Sequence, residues 1–170
     1  RSLGKTEEGR TTILTHIIDI TSRKEAIAAL EASEKRYKTL FEKATFGIVT
    51  MSTEGRLIAV NEAFANLHGY TIDEILQMEL STLNVPESRE LLQSRIEAVL
   101  RGEVLNFEVG HYHKNGHILT VEVTTSAIQT GDQTYIQSFI RDVTALKKAA
   151  AITELTEKRY TNLFKQASIG

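Results

Sequence analysis

Four histidines stand where side-chain chemistry would first be sought. His111, His113 and His117 share a seven-residue window, and His68 sits alone beside Gly69. Three imidazoles so close in sequence can suggest a zinc or haem site. The residues between them argue otherwise. Asn115-Gly116 separates Lys114 from His117, and this dipeptide suits a two-residue hairpin turn with both central residues at positive φ. Such a turn pairs Lys114 with His117 and His113 with Ile118, so His117 faces away from His111 and His113. Two histidines without a carboxylate or cysteine make a weak site. Solvated hairpin histidines are therefore expected, and no metal ligand is assigned. His68 can cap a short helix, line a pocket or ligate haem.

Other chemistry is harder to find. The 170 residues contain no cysteine, which excludes disulfides, thiolate metal sites and any cysteine-linked chromophore adduct. No glycine-rich phosphate loop, nucleophile elbow or phosphoacceptor-type helical histidine occurs, so the chain itself is expected to be non-catalytic. The formal net charge is −2 and bases are interleaved with acids, so nucleic acid is not an expected partner. No apolar run approaches the ~20 residues of a membrane span, and direct membrane contact is not expected. A cytoplasmic setting fits, with any membrane anchor of a longer parent lying outside this segment.

Positioning elements follow from periodicity and punctuation. Residues 22–43 lack Gly and Pro and read as a helix. Ile27, Leu30, Tyr37 and Phe41 form one stripe, interrupted by Glu34, in the manner of a short coiled-coil seam. A homodimer is expected through it. Two short strands, 46–51 and 56–60, flank the turn Thr53-Glu54-Gly55. Asn61 is placed to cap a helix carrying Phe64 and Leu67 that Gly69 stops. Thr71 and Glu74 have capping-box spacing. Pro86 opens a helix expected to run to Arg101, with Leu91, Leu92, Ile96, Val99 and Leu100 on its apolar side and Gly102 at its end. Three strands, 104–114, 117–128 and 134–142, come next, and Thr144 is placed to cap a departing helix. Strands grouped by hairpins around a block of helices indicate an α+β fold with an antiparallel sheet.

One pattern resists this scheme. With the two-residue turn, Leu105, Phe107 and Val109 fall on one face of the sheet while Val121 and Val123 fall on the other. Either both faces are covered or a bulge near Gly110 resets the register.

The chain also repeats itself. Glu34-Lys35-Arg36-Tyr37, Leu40-Phe41, Ala44 and Gly47 recur as Glu157-Lys158-Arg159-Tyr160, Leu163-Phe164, Ala167 and Gly170, with eight of fourteen positions identical at an offset of 157 − 34 = 123 residues. Asp19-Ile20-Thr21 recurs as Asp142-Val143-Thr144 at the same offset. So long a period suits an array of whole domains. Residues 1–21 read as the tail of a preceding unit, 22–43 as a linker helix, 44–144 as a complete unit, and 145–170 as an outgoing helix and the head of a following unit. Residues 10–20, a strand without its own sheet, are expected to be disordered, to extend the following helix or to pair with another chain.

Taken in order, these motifs resemble the PAS family: Arg36-Tyr37-x-x-Leu40-Phe41-x-x-Ala44 into Gly47-Ile48, Gly55-Arg56-Leu57-Ile58-x-Val60-Asn61-x-Ala63-Phe64, Gly69-Tyr70-Thr71-x-x-Glu74-Ile75, Lys114-Asn115-Gly116 and Arg141-Asp142-Val143-Thr144. The resemblance implies a five-stranded antiparallel sheet of order 2-1-5-4-3 with helices over one face, and favours coverage of both faces as the answer to the register problem. It implies a tandem segment of a prokaryotic sensory protein such as a histidine kinase or cyclase, with neighbouring PAS and output domains in the same chain. It also makes Asp142, Val143 and Thr144 the junction that passes conformational change to the outgoing helix, Asp142 pairing with a basic group or backbone N–H and Thr144 capping.

Within that fold Phe64, Leu67, His68, Ile75, Leu83, Leu92 and Ile96 either line a pocket for a non-covalent small molecule or fill it as core. Haem is disfavoured, because haem-binding relatives usually take their histidine from the long helix and residues 87–101 hold none. A flavin adduct of the light-oxygen-voltage type is excluded by the missing cysteine. Two functions stay open: a ligand-responsive sensor, or a ligand-free module that dimerises and spaces its neighbours.

Overall fold

The computed structural model describes residues 3–5, 11–13 and 20–167, which divide into two compact units, Arg1–Thr39 and Leu40–Gly170. In the first, β1 (Leu3–Lys5) pairs antiparallel with β2 (Thr11–Ile13), Leu3 opposite Ile13. The β-rich stretch expected to lack an edge therefore pairs, at residues 11–13, with a segment upstream in its own chain; residues 10 and 14–19, including Asp19, lie outside the described residues. Helix α1 (Thr21–Lys43) starts in this unit, and its 23 residues contain none that is buried. Ile27, Leu30 and Tyr37 are exposed.

The second unit holds one five-stranded antiparallel sheet. Its strands are β3 (Gly47–Met51), β4 (Leu57–Val60), β5 (Leu105–Tyr112), β6 (Ile118–Thr130) and β7 (Gln133–Asp142), arranged β4-β3-β7-β6-β5. Counting within the sheet, this is order 2-1-5-4-3. The last strand thus lies in the middle, hydrogen-bonded on both sides, and runs through Val143 into α7 (Thr144–Ala167).

Between β4 and β5 the chain makes α2 (Glu62–His68), α3 (Ile72–Leu76), α4 (Leu80–Leu83), α5 (Pro86–Glu90) and α6 (Leu92–Leu100). Local chemistry sets their ends. Asn61 accepts the N–H of Phe64 and starts α2; Gly69 ends it at φ 77°, a left-handed conformation natural to glycine. Thr71 and Glu74 close a reciprocal capping box on α3. The single helix expected over 87–101 is instead two: Leu91, at φ −89° and ψ −7°, breaks it. The break leaves Leu91 exposed and turns Ile96 and Val99 inward, while Leu100 also stays at the surface.

The β5–β6 turn differs from expectation too. His113 N–H donates to His117 O at 2.9 Å and Gly116 N–H to His113 O at 2.8 Å, with Gly116 at φ 90°. Among the described residues no other residue type adopts positive φ, so Asn115 does not. The loop has three residues, Lys114 to Gly116, as in a type I turn closed by a left-handed glycine. One extra loop residue shifts the register by one: Phe107 opposes Val123, Val109 opposes Val121 and His111 opposes Leu119. All these side chains then share a face. The apparent conflict in the strand pattern disappears without a bulge at Gly110 and without needing a second covered face.

That common face carries the core. Val49, Val109, Leu119, Val121, Val123 and Ile140 from the sheet meet Phe64, Ala65, Ile75 and Leu83 from the helices, all buried. Met51 and Ile136 meet Ile96 and Val99 in an adjoining cluster.

Candidate functional site

Asn61 is the first structural node of the site. It is wholly buried because its side chain has four backbone partners. Its Oδ1 accepts from Ile48 N–H (2.9 Å) and Phe64 N–H (3.0 Å), and its Nδ2 donates to Phe41 O and Phe46 O, both at 3.0 Å. One amide therefore fixes the end of α1, the start of β3 and the first turn of α2. Phe64, so oriented, packs against His68 with ring centres 4.3 Å apart.

His68 and His111 form a buried pair. His68 Nδ1 lies 2.9 Å from Phe64 O, and its Nε2 lies 2.9 Å from His111 Nδ1. A carbonyl only accepts, so His68 carries its proton on Nδ1 and its Nε2 is an acceptor. His111 must then donate from Nδ1, leaving its own Nε2 as a lone pair. Both rings are neutral near pH 7. Burial pushes His111 down to about 3, with His68 adding to the effect. Burial lowers His68 as well, against the hydrogen bond to Phe64 O that favours its charged form.

The other two histidines belong elsewhere. His113 and His117 stack at 4.4 Å, directly opposite each other across the loop, so His117 does not face away from His113 as the shorter turn would require. His111 points inward, and the three do not converge. Among the described residues, no three His, Cys, Asp or Glu side chains gather around one point.

A cavity of about 40 Å³ lies between the sheet and the helices. Of the residues expected to line a pocket, Phe64, Leu92 and Ile96 do so. Leu67, Ile75 and Leu83 pack into the core instead, and His68 stands behind His111. Sequence reasoning missed most of the wall: Asn84, Arg95, Phe107, His111, Thr125 and Ser138 also line it. For Phe107, His111 and Thr125 the signal was the inward alternation of β5 and β6, hidden by the one-residue difference in the turn; Arg95 comes from α6, Asn84 from the junction of α4 and α5, and Ser138 from β7. Arg95 lies over the Phe107 ring, 3.7 Å from its centre.

The hairpin ties this cavity to the helices and to α7. On one side Lys114 N–H donates to His68 O (2.9 Å), and its Nζ bridges both Glu74 oxygens at 2.7 and 2.8 Å. The His113 ring lies so close over Gly69 that an added Cβ would come within 2.5 Å of it. On the other side the Thr144 hydroxyl accepts from Thr120 N–H (2.8 Å) and reaches Thr120 O (3.3 Å), while Val143 N–H donates to Thr120 O at 2.9 Å. Asp142 Oδ1 accepts the Thr144 N–H at 2.8 Å. Asp142 thus closes the first turn of α7, and Thr144 clasps β6 rather than capping its own helix. Lys147 adds a half-exposed ion pair with Glu108 of β5, at 2.7 Å.

Known proteins place this arrangement in context. The PAS domain profile matches residues 45–145. The chain is 28% identical over 165 residues to the sensor histidine kinase TmoS of Ectopseudomonas mendocina, covering 93% of this chain and 17% of that protein. It is 23% identical over 145 residues to the probable diguanylate cyclase DgcE of Escherichia coli K12, covering 83% of this chain and 13% of that one. The chain therefore spans less than a fifth of each relative's length. The PAS domain of an HTR-like protein from Haloarcula marismortui superposes with a TM-score of 0.64 at 23% identity, over 71% of this chain and 99% of that one. A domain of a sensory box sensor histidine kinase/response regulator from Geobacter sulfurreducens gives 0.56 at 30% identity, over 65% and 95%.

Proposed function

The chain belongs to the PAS domain family, and from that premise we propose that residues 44–144 form a non-catalytic sensor that binds a small molecule and relays its occupancy to α7. The observation that supports this reading most is the sheet order. The final strand lies at the centre of the sheet and continues through one residue into the outgoing helix. A change on the cavity wall, to which Ile136, Ser138 and Ile140 of that strand contribute, has a short covalent route out. The ligand must bind two conformations unequally, since equal affinity shifts no population.

The rest of the organisation is proposed on the same basis. Residues 1–21 and 157–170 are remnants of neighbouring PAS units, and 22–43 is a dimerising linker whose seam is Ile27, Leu30, Tyr37 and Phe41. Asp142, Val143 and Thr144 are the signal junction. The parent is a cytoplasmic, or membrane-anchored, sensory protein with a kinase or cyclase output, and no nucleic acid takes part.

The second reading, a ligand-free dimerisation and spacing module, draws on the cavity's size: about 40 Å³ is far below the ~300–1,000 Å³ of pockets that enclose drug-sized ligands. Native mass spectrometry and an absorption spectrum of the purified chain separate the two. Retained mass or chromophore, or binding of a small molecule that changes exchange in α7, supports the sensor. An unliganded chain whose α7 responds to nothing in the cavity supports the spacer. Sedimentation as a monomer at high concentration would rule out the seam.

A further inference from the structure

The deep wall of the cavity has no polar capacity to spare. Asn84 donates to Leu80 O, His111 pairs with His68, and the Ser138 hydroxyl donates to Thr125, which donates onward to Gln137 O. Among the described residues no buried side-chain nitrogen or oxygen is left without a hydrogen-bond partner. An occupant at this depth therefore has only to be apolar and small. The volume of about 40 Å³ takes roughly three water-sized groups.

One residue on the wall is different. Arg95, half-buried on α6, is the only charged side chain among the described residues that line the cavity; burial holds His111 neutral. The guanidinium lies over the Phe107 ring, also on the wall, 3.7 Å from its centre. That stack leaves the N–H donors uncommitted, and among the described residues the Arg95 side chain makes no hydrogen bond or ion pair. Burial lowers its affinity for its proton, and no carboxylate acts to offset this. Partly desolvated charges are ordinarily paired, and a planar donor fork without an anion is the group that a carboxylate completes.

Resting on the ligand-site reading above, we infer that the occupant is a short-chain monocarboxylate, its carboxylate on the Arg95 guanidinium at the half-exposed edge and its carbon tail in the cavity. The rest of the wall is mostly aliphatic and suits the tail, which the volume restricts to a few atoms. A neutral isostere gives up the charge-assisted hydrogen bonds. An amine meets a like charge at Arg95. A dicarboxylate buries its second charge against a wall whose donors are already engaged.

The test uses propionate and propionamide, which have nearly the same shape and of which only the first is charged. Each is titrated at fixed ionic strength into the isotopically labelled chain while backbone amides and the Arg95 Nε–H are followed by NMR. The expected result is saturable shifts at Arg95 and at Val109, Val123 and Ile140 on the wall, with propionate at least about tenfold tighter than propionamide. Arg95→Gln should bring propionate down to the level of propionamide and leave propionamide itself unchanged. Arg95→Lys, which keeps the charge without the fork, should fall between. The two titrations of the native chain decide the matter even if a variant folds poorly. Equal binding of the two molecules, or tighter binding of propylammonium, would overturn the anionic class while keeping the cavity as a ligand site. Shifts confined to Arg95 and reproduced by chloride would also overturn it, showing a surface cation with no tail in the cavity. Saturable propionate binding with exchange in α7 unchanged would uphold the carboxylate site and sink the relay reading instead. No saturable shift with propionate, propionamide or propylammonium would remove the cavity as a site for molecules of this size, and this inference with it.

Discussion

Asn61 and the histidine pair show how much of this fold depends on single polar side chains in an apolar setting. Asn61→Ala removes two donors and two acceptors at a site with no water access. It should cost roughly 3 kcal/mol or more, since stranded backbone groups lose their full partners; urea unfolding would check it. Asn61→Asp keeps the acceptors yet turns two donors into a buried charge facing carbonyls, and should be no milder. The histidines make a pH prediction of definite sign. Their folded-state affinities for protons are depressed, to about 3 for His111 and in the same direction for His68. The unfolded chain therefore binds protons first, so stability is complete above about pH 6.5 and falls as pH drops below it. By pH 5.5, still above the carboxylate range, keeping His111 neutral should have cost about 1.4 kcal/mol, with His68 adding in the same direction. His113 and Asp142 act on His68 in opposite senses, both ranking after burial and the Phe64 hydrogen bond. A urea midpoint unchanged between pH 7 and 5.5 would contradict the buried neutral pair.

At the scale of elements, the hairpin loop decides which face β6 presents. Deleting Asn115 would shorten the loop from three residues to two and favour the other register, sending Val121 and Val123 away from the helices. Such a chain should lose most of its cooperative unfolding transition. Gly116→Ala, which keeps the length but places a side chain at φ 90°, should cost only about 1 kcal/mol. A deletion variant as stable as the native chain would show that register is set elsewhere. The same loop marks where the sequence stopped being readable. Element types, the caps at Asn61 and Thr71, and the sheet order through the family resemblance were all legible, because each depends on a few adjacent residues. Asn-Gly is compatible with both loop lengths, so the register was not legible locally. The inward turn of His111 went unseen with it. Likewise the helix after Pro86 carries no Gly or Pro at its break; Leu91 is broken out by packing of Ile96 and Val99, which no local signal announces.

Over the whole PAS unit, the question is whether α7 moves with the sheet or merely follows it. Three connections link them besides the chain itself: the Thr144 clasp on Thr120, the Val143 amide on the same carbonyl, and the Lys147–Glu108 ion pair. They are unequal. The ion pair is half exposed and should contribute about 0–1 kcal/mol, less in salt. The clasp is part-buried and engages both the N–H and the C=O of a residue one step from Leu119, the partner of His111. Thr144→Val preserves shape and branching while removing the hydroxyl, so it isolates this contact. Native-state hydrogen exchange should then show the first turn of α7 opening about tenfold more often, the equivalent of roughly 1.4 kcal/mol. Val123 and Ile140, inside the sheet, should keep their protection. Thr144→Ser should restore the native rate, because it returns the hydroxyl without the methyl. Lys147→Ala should change little beyond its salt dependence. If instead Thr144→Val loosened the sheet and α7 together, the clasp would be part of the core's stability and not a separable hinge. If it changed neither, the helix would be held by Val143, Asp142 and the Lys147–Glu108 pair without the clasp, and the route from His111 through β6 would carry nothing.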